Sequence, residues 1–402
     1  MRAGLDAPQG AWPLAADLEK LHPGASVRLE RVDGHAVWVS LTALQRADVT
    51  AATPDPPDGR IVRDPSGNPT GVLVDGAMAL VPAPPVSRDV ALRRMQTALV
   101  LLAAKGLTGV HAMAVSDASL DVLAQIRDQG RLPVRVWAYV EPDGAAAAKL
   151  LAEGPYGEGR LRVVGVKVFA DGSLGSRGAL LGAPYADAPD SRGTEVTDPA
   201  TLAALVVATR KVGAGLAVHA IGDEAVHRVL EAVAAAPPAP EGALPVRIEH
   251  AQVVRPEDRP RFAALGVVAS MQPTHAVSDA PWARKRLGDE RVTWAYAWRS
   301  LLDAGAPLAF GSDFPIEPVD PGLGLSAATT RDGWTVEEVV TLDEATAAFT
   351  SGAAQAVGEA GLGRLAVGAP ADLTLWSGEG ERWRAVATVV GGEIVAEAPS
   401  AR

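Results

Sequence analysis

Cysteine is absent from the 402-residue chain. That excludes disulfides and thiolate metal sites, so any metal must sit on histidine, carboxylate or modified lysine. Long apolar runs are also lacking. The most apolar stretch, 95–104 (MQTALVLLAA), is too short to span a bilayer and follows Arg93 and Arg94. The opening residues, MRAGLDAPQGAWP, lack the apolar core of a secretory leader. The expectation is a cytoplasmic protein with no membrane partner. Basic charge is scarce too: 37 Lys and Arg stand against 48 Asp and Glu, for a net charge of -11. Nucleic-acid binding needs a basic patch, so no nucleic-acid partner is expected. The glycine-spaced segment GSLGSRGALLG is not a phosphate loop, because no Lys-Ser/Thr follows it and no GxGxxG occurs.

What the chain has is the composition of a packed globular fold, with 48% hydrophobic and 21% charged residues. From about 107 to 331, short β-rich runs alternate with helical runs. The strand candidates are LTGVHAM (107–113), LPVRVWAYV (132–140), LRVVGVKVFADG (161–172), GLAVHAIG (215–222), VRIEHAQ (246–252), GVVASMQPTH (266–275) and PLAFGSDFP (307–315). Most are near-continuous apolar runs, as in parallel strands covered on both faces. Helices are expected at 198–212, with Asp198 as N-cap and Pro199 at the first position, and from Asp223 onward. RPEDRPRFAAL reads as a short helix broken by proline.

This alternation predicts an α/β fold of the TIM type, a (β/α)8 barrel. Seven barrel strands are legible, so the expectation is that the first is missing from this chain. Residues 1–85 read as an inserted small β-subdomain with its lead-in, including a hairpin in IVRDPSGNPTGVLV. Residues 86–358 read as the barrel, closing with a helix over 341–358 that Thr341 and Glu344 open as a capping box. Residues 359–402 read as the C-terminal part of an incomplete β-sandwich, with Gly-Gly turning RAVATVVGGEIVAEA. Its missing partners are expected upstream of residue 1.

In such barrels chemistry sits at the C-terminal ends of the strands. Lys167 (in VKVFADG), His219 (in VHAIGD), His250 (ending RIEH) and Asp313 (in FGSDFP) fall there in chain order. A buried strand end is a costly place for an ionisable group without a partner. Taken singly, each has a structural reading: a hydrogen-bonded core histidine, a turn-capping aspartate, a lysine paired with Asp171 or Asp313. Taken together, two imidazoles and a carboxylate suit a divalent metal such as zinc. Lysine can join only if modified, for instance as a carbamate.

The motifs VDGHAVWVS (32–40), GRIVRDPSGNPTGVLVD (59–75), VKVFADGSLGSRGALL (166–181), VHAIGD (218–223), IEHAQ (248–252), SMQPTHAVSD (270–279), FGSDFPIEP (310–318) and GRLAVGAPADLTLW (363–376) resemble the amidohydrolase superfamily, specifically its YtcJ-like (amidohydrolase 3) branch. The resemblance covers essentially the whole chain. It implies Lys167 as a bridging, carbamylated ligand, His219 and His250 as ligands of a second metal, and Asp313 as both ligand and proton shuttle. It implies a zinc-type cofactor of one or two ions and a small-molecule amide-type substrate. The activity implied is hydrolysis of carbon–nitrogen bonds outside peptides. A non-catalytic remnant, or an esterase or lactonase on the same barrel, are the alternatives. One departure stands out: the family's His-x-His motif of the first barrel strand is nowhere among the seven histidines.

Three further residues are candidates for substrate binding: His275 after the seventh strand, Arg177 on the Gly-rich loop and His35 from the inserted subdomain. Arg177 equally reads as a loop-anchoring ion pair, and His35 as structural. His111 either faces the site or packs, while His22 and His227 read as solvated. Nine tryptophans, among them Trp38, Trp282 and Trp298, hint at an apolar pocket, although core packing explains most tryptophans. A homodimer is an allowed assembly.

Overall fold

A computed structural model describes residues 12–31, 34–378 and 383–398. The first eleven residues, and Val32 and Asp33 of the VDGHAVWVS motif, lie outside the described residues, as does any reading placed on them. Strands β1 (Arg28–Glu30), β2 (Ala36–Val39), β3 (Gly59–Arg63) and β4 (Pro69–Asp75) make an antiparallel sheet in the order β1-β2-β4-β3. The expected hairpin joins β3 to β4, and Asp64 Oδ1 closes its turn by accepting from the N–H groups of Ser66 and Asn68. Val37, Val39, Ile61 and Leu73 cover one face with helices α1 (Ala15–Leu21) and α2 (Leu41–Arg46).

Helix α3 (Arg88–Ala104) leads into the main sheet. Its strands are β5 (Gly109–Val115), β6 (Arg135–Val140), β7 (Tyr156–Glu158), β8 (Leu161–Phe169), β9 (Gly215–Ala220), β10 (Val246–His250), β11 (Val268–Met271) and β12 (Leu308–Phe310). Seven run parallel in the order β12-β11-β10-β9-β8-β6-β5, and β7 pairs antiparallel with β8. The interleaved helices are α4 (Asp117–Asp128), α5 (Ala145–Glu153), α6 (Pro199–Lys211), α7 (Asp223–Ala235), α8 (Arg259–Leu265), α9 (Pro273–Arg291), α10 (Trp298–Asp303), α11 (Pro321–Thr330) and α12 (Leu342–Ala347). Outward residues such as Val136, Val163, Leu216, Val218 and Ile248 pack with Ile126, Leu150, Val206 and Val229 of those helices in one core. The sheet curls until Arg247 Nη1 on β10 meets His111 Nδ1 on β5 at 2.8 Å. This is a TIM-type barrel. Among the described residues β5 and β12 do not pair, as seven legible strands require.

Local signals hold at the helix starts. The Asp198 carboxylate accepts from the N–H groups of Ala200 and Thr201, and Thr341 with Glu344 forms the full capping box. The helix expected over 341–358 runs from Leu342 to Gln355 and passes through a π-helical turn at Ala348–Gly352, where Gly352 lies so close to β12 that a Cβ would meet Leu308 O at 2.2 Å. The C-terminal strands β13 (Leu373–Ser377), β14 (Arg384–Val390) and β15 (Glu393–Glu397) form a three-stranded antiparallel sheet, turned at Gly391 and Gly392. Thr388 donates to Ala103 O and Arg135 pairs with Asp372, anchoring this sheet near the start of the barrel strands. Trp298 is fully buried in the main core, Trp282 packs against that core, and Trp38 packs on the small sheet. Core packing therefore accounts for all three. No helix among the described residues is long and apolar enough to cross a membrane.

Candidate metal centre

Parallel strands bring their C-terminal ends to one mouth. Lys167 sits near the end of β8, His219 near the end of β9, His250 at the end of β10 and Asp313 just beyond β12. On β10, Val246 and Ile248 face the helices, while Arg247 and Glu249 point inward, with Arg247 over the Tyr139 ring at 5.3 Å. Strict alternation would send His250 outward. Instead His250 takes φ +76° and Ala251 φ +40°, which turns the imidazole to within 4.6 Å of the His219 ring. Asp313 also has positive φ, at +56°. Such backbone is sparsely populated for residues other than glycine and gathers at functional sites.

Each imidazole has one nitrogen already engaged. His219 Nε2 lies 3.3 Å from Gly172 O and 3.5 Å from Asp171 Oδ1. His250 Nδ1 lies 2.8 Å from Gln272 Oε1. With those nitrogens donating, the others carry lone pairs, which is how outer partners prepare histidine ligands. Burial pushes both rings well below the usual imidazole range, and protonation is further disfavoured by the closeness of the two rings to each other and of the Lys167 ammonium to His250. They are therefore neutral, the form that binds metal.

Lys167 is 4% exposed, with Nζ 4.8 Å from the Phe169 ring centroid. Burial lowers its ammonium to about 8, against the opposing pull of Glu249 and Asp313. Burial raises Asp313 to about 7, with Lys167 opposing. Desolvation thus moves a base and an acid towards each other and towards neutrality.

His275, expected as a substrate residue, lies among the prospective ligands. Its ring stacks on His250 at 5.8 Å and its Nε2 is 3.6 Å from Asp313 Oδ2. Ligand atoms of His250, His275 and Asp313 lie within 4.8 Å of one another. Two imidazoles and a carboxylate at that spacing, with the His250 tautomer set from behind by Gln272, fit a divalent ion.

His35 reaches the mouth from the small sheet. Its ring lies 4.8 Å from that of His219, and its Nδ1 is 2.7 Å from Asp75 Oδ1. The Gly-rich loop after β8 receives this subdomain. A Cβ on Gly172 or Gly178 would strike the Asp75 carboxylate, and one on Gly175 would strike Arg31. The glycines are there for close approach, not for phosphate. Arg177 follows its loop-anchoring reading: its guanidinium is held by both oxygens of Asp187, which Arg286 also engages. His111 packs beneath the site against Arg247. His22 is exposed, as expected, but His227 bonds the buried carboxylate of Asp258 rather than standing in solvent.

Three residues were missed from the sequence, and a fourth, Asp171, entered only as a possible partner of Lys167. Arg247, 3% exposed, forms a buried pair with Glu249 and donates to Ser270 Oγ at 2.6 Å. Asp171 and Gln272 stand behind the two histidines. The signal available for the first pair was a strand with charges at alternate positions; Asp171 and Gln272 stand inside the quoted motifs VKVFADGSLGSRGALL and SMQPTHAVSD, but nothing local marks them as partners of the histidines.

A family model described as the amidohydrolase family matches residues 3–396. The Bacillus subtilis (strain 168) protein YtcJ, classed as an amidohydrolase, is 38% identical over 381 residues, covering 90% of this chain and 71% of its own. An N-substituted formamide deformylase of Arthrobacter pascens is 26% identical over 369 residues, covering 86% of this chain and 67% of its own. The crystal structure of an uncharacterised metal-dependent hydrolase from Pyrococcus horikoshii OT3 matches with a TM-score of 0.71 at 30% identity, covering 89% of this chain and 72% of that one.

Proposed function

The chain belongs to the amidohydrolase family, and on that premise we propose that it is a metal-dependent hydrolase of amide-type carbon–nitrogen bonds outside peptides. The observation that carries this reading is the convergence of His250, His275 and Asp313 within 4.8 Å, beside His219 and Lys167. Zinc is the preferred ion, because neutral imidazoles and a carboxylate are its usual oxygen- and nitrogen-donor set where cysteine is absent. Lys167 joins as a carbamate: burial leaves part of it as free amine near neutral pH, and carbamylation would present oxygens in place of an ammonium. When bound, the metal supplies Lewis acidity, lowering the pKa of water and polarising a carbonyl.

The chain's own groups do the rest. Asp313, within 3.6 Å of His275 Nε2 at the barrel mouth, takes a proton from the attacking water and passes it to the leaving nitrogen. His35, held by Asp75, lines the mouth where the substrate enters. A small-molecule amide is the substrate class, supported by the likeness to the formamide deformylase. The test is metal content together with a panel of N-substituted formamides, cyclic amides, esters and lactones. Stoichiometric zinc, amide hydrolysis and a loss of about 10²–10⁴-fold in Asp313→Asn are expected. Hydrolysis confined to esters or lactones would overturn the bond class.

A further inference from the structure

We infer that Gln272 is a positioning residue that selects which nitrogen of His250 faces the metal; this rests on the metal-binding reading above. The argument is one of donors and acceptors. Gln272 is 7% exposed and precedes α9. Its Nε2 lies 3.2 Å from Ser270 O and its Oε1 lies 2.8 Å from His250 Nδ1. A carbonyl oxygen only accepts, so the amide nitrogen must face Ser270 and the amide oxygen must face His250. An amide oxygen also only accepts. His250 Nδ1 must therefore carry the hydrogen, which leaves the lone pair on Nε2.

The anchor behind this amide is rigid. Ser270 lies on β11, which pairs through Glu249 with β10, the strand that carries His250. Its hydroxyl is held by Arg247, whose guanidinium is paired in turn with Glu249. The orientation of the amide is thus set from the barrel interior. The main chain of Gln272 acts on the second histidine: its carbonyl accepts from the N–H of His275 at 3.1 Å. One residue therefore fixes the ring state of His250 by its side chain and the placement of His275 by its backbone. Only the first of these depends on which side chain stands at 272, which makes the proposal separable by substitution.

The experiment uses the full chain with zinc as the probe. Zinc affinity is measured by chelator competition for wild type, Gln272→Glu and Gln272→Met, and the His250 tautomer is read by nitrogen NMR of the metal-free protein. Glutamate keeps an acceptor against Nδ1 but no donor for Ser270 O, so Gln272→Glu keeps the Nδ1–H form and retains more zinc affinity than Gln272→Met. Methionine keeps the volume without an acceptor, so Gln272→Met loses the tautomer preference and weakens zinc about 10–100-fold. Equal affinity in wild type and Gln272→Met would overturn the proposal. So would a wild-type His250 carrying its hydrogen on Nε2, a result that needs no variant to fold. If wild type binds no zinc, the metal reading fails by itself, and the tautomer measurement still decides the role of Gln272.

Discussion

Replacing Asp171 with asparagine exchanges one oxygen for an NH2 group, and the structure says where the damage falls. The Asp171 carboxylate is fully buried. Its Oδ1 accepts from Ile221 N–H at 3.0 Å, and its Oδ2 accepts from Gly222 and Leu180 N–H at 2.8 Å each. It ties the loop after β8 to the start of α7, whose N-cap is Gly222. An asparagine has one acceptor oxygen. Its better orientation keeps the two bonds to Gly222 and Leu180 and turns NH2 against the Ile221 N–H. A buried N–H without an acceptor costs about 1–3 kcal/mol. Taking the middle of that range, about 2 kcal/mol, the local opening equilibrium at Ile221 shifts by about 30-fold. Native-state hydrogen exchange reads this directly, with Leu180 and Gly222 as internal controls that change less. The comparison belongs near pH 8, above the value of about 7 to which burial raises this carboxyl and where the wild-type group is ionised. Exchange at Ile221 within about threefold of wild type would refute the reasoning that three donors compete for two carboxylate oxygens.

Three other perturbations test separate parts of the fold. Glu344 is held down to about 2 by Arg299 and the N-cap Thr341; a depressed carboxylate stabilises above its unfolded value and loses that contribution as pH falls. The stability gap between wild type and Glu344→Gln, followed by denaturant titration, should therefore close as pH falls from the ordinary carboxyl value of 4.5 to about 2. Arg331 is fully buried, donates to Tyr296 O and Trp334 O, and lies 4.3 Å from the Trp298 ring; Arg331→Met should destabilise by about 3 kcal/mol in chemical unfolding, since its carbonyl partners are left without donors. Gly172→Ala would bring a Cβ within 2.4 Å of Asp75 Oδ2, so it should displace the His35–Asp75 pair, raise KM more than it lowers kcat, and cost about 1–3 kcal/mol of stability.

Much of the architecture was legible because it is written locally. Apolar runs separated by helix caps gave the strand sequence, and Asp198 and Thr341 cap helices where their side chains and spacing require. The strand ends located Lys167, His219 and His250, because a polar residue closing a buried run has few other places to go. The loop after β11 was harder. His275 sits in the first turn of α9, and its nearness to Asp313 depends on how β11 and β12 lie side by side. Arg177 was ambiguous for the same reason: its partner, Asp187, is close in sequence, yet only the folded loop shows both oxygens engaged.

The sequence by itself determined the strand order, the caps and which residues stand at the barrel mouth, since these follow from periodicity and from short-range hydrogen bonding. Tertiary structure alone decided which way those residues look. His250 would face the helices by alternation, and a positive φ at the end of β10 turns it inward. Gln272 and Asp171 become its partners and those of His219 only through curvature of the sheet and convergence of its loops. Local propensity carries no record of groups brought together across tens of residues, while the energy of a buried donor without an acceptor is settled by that meeting.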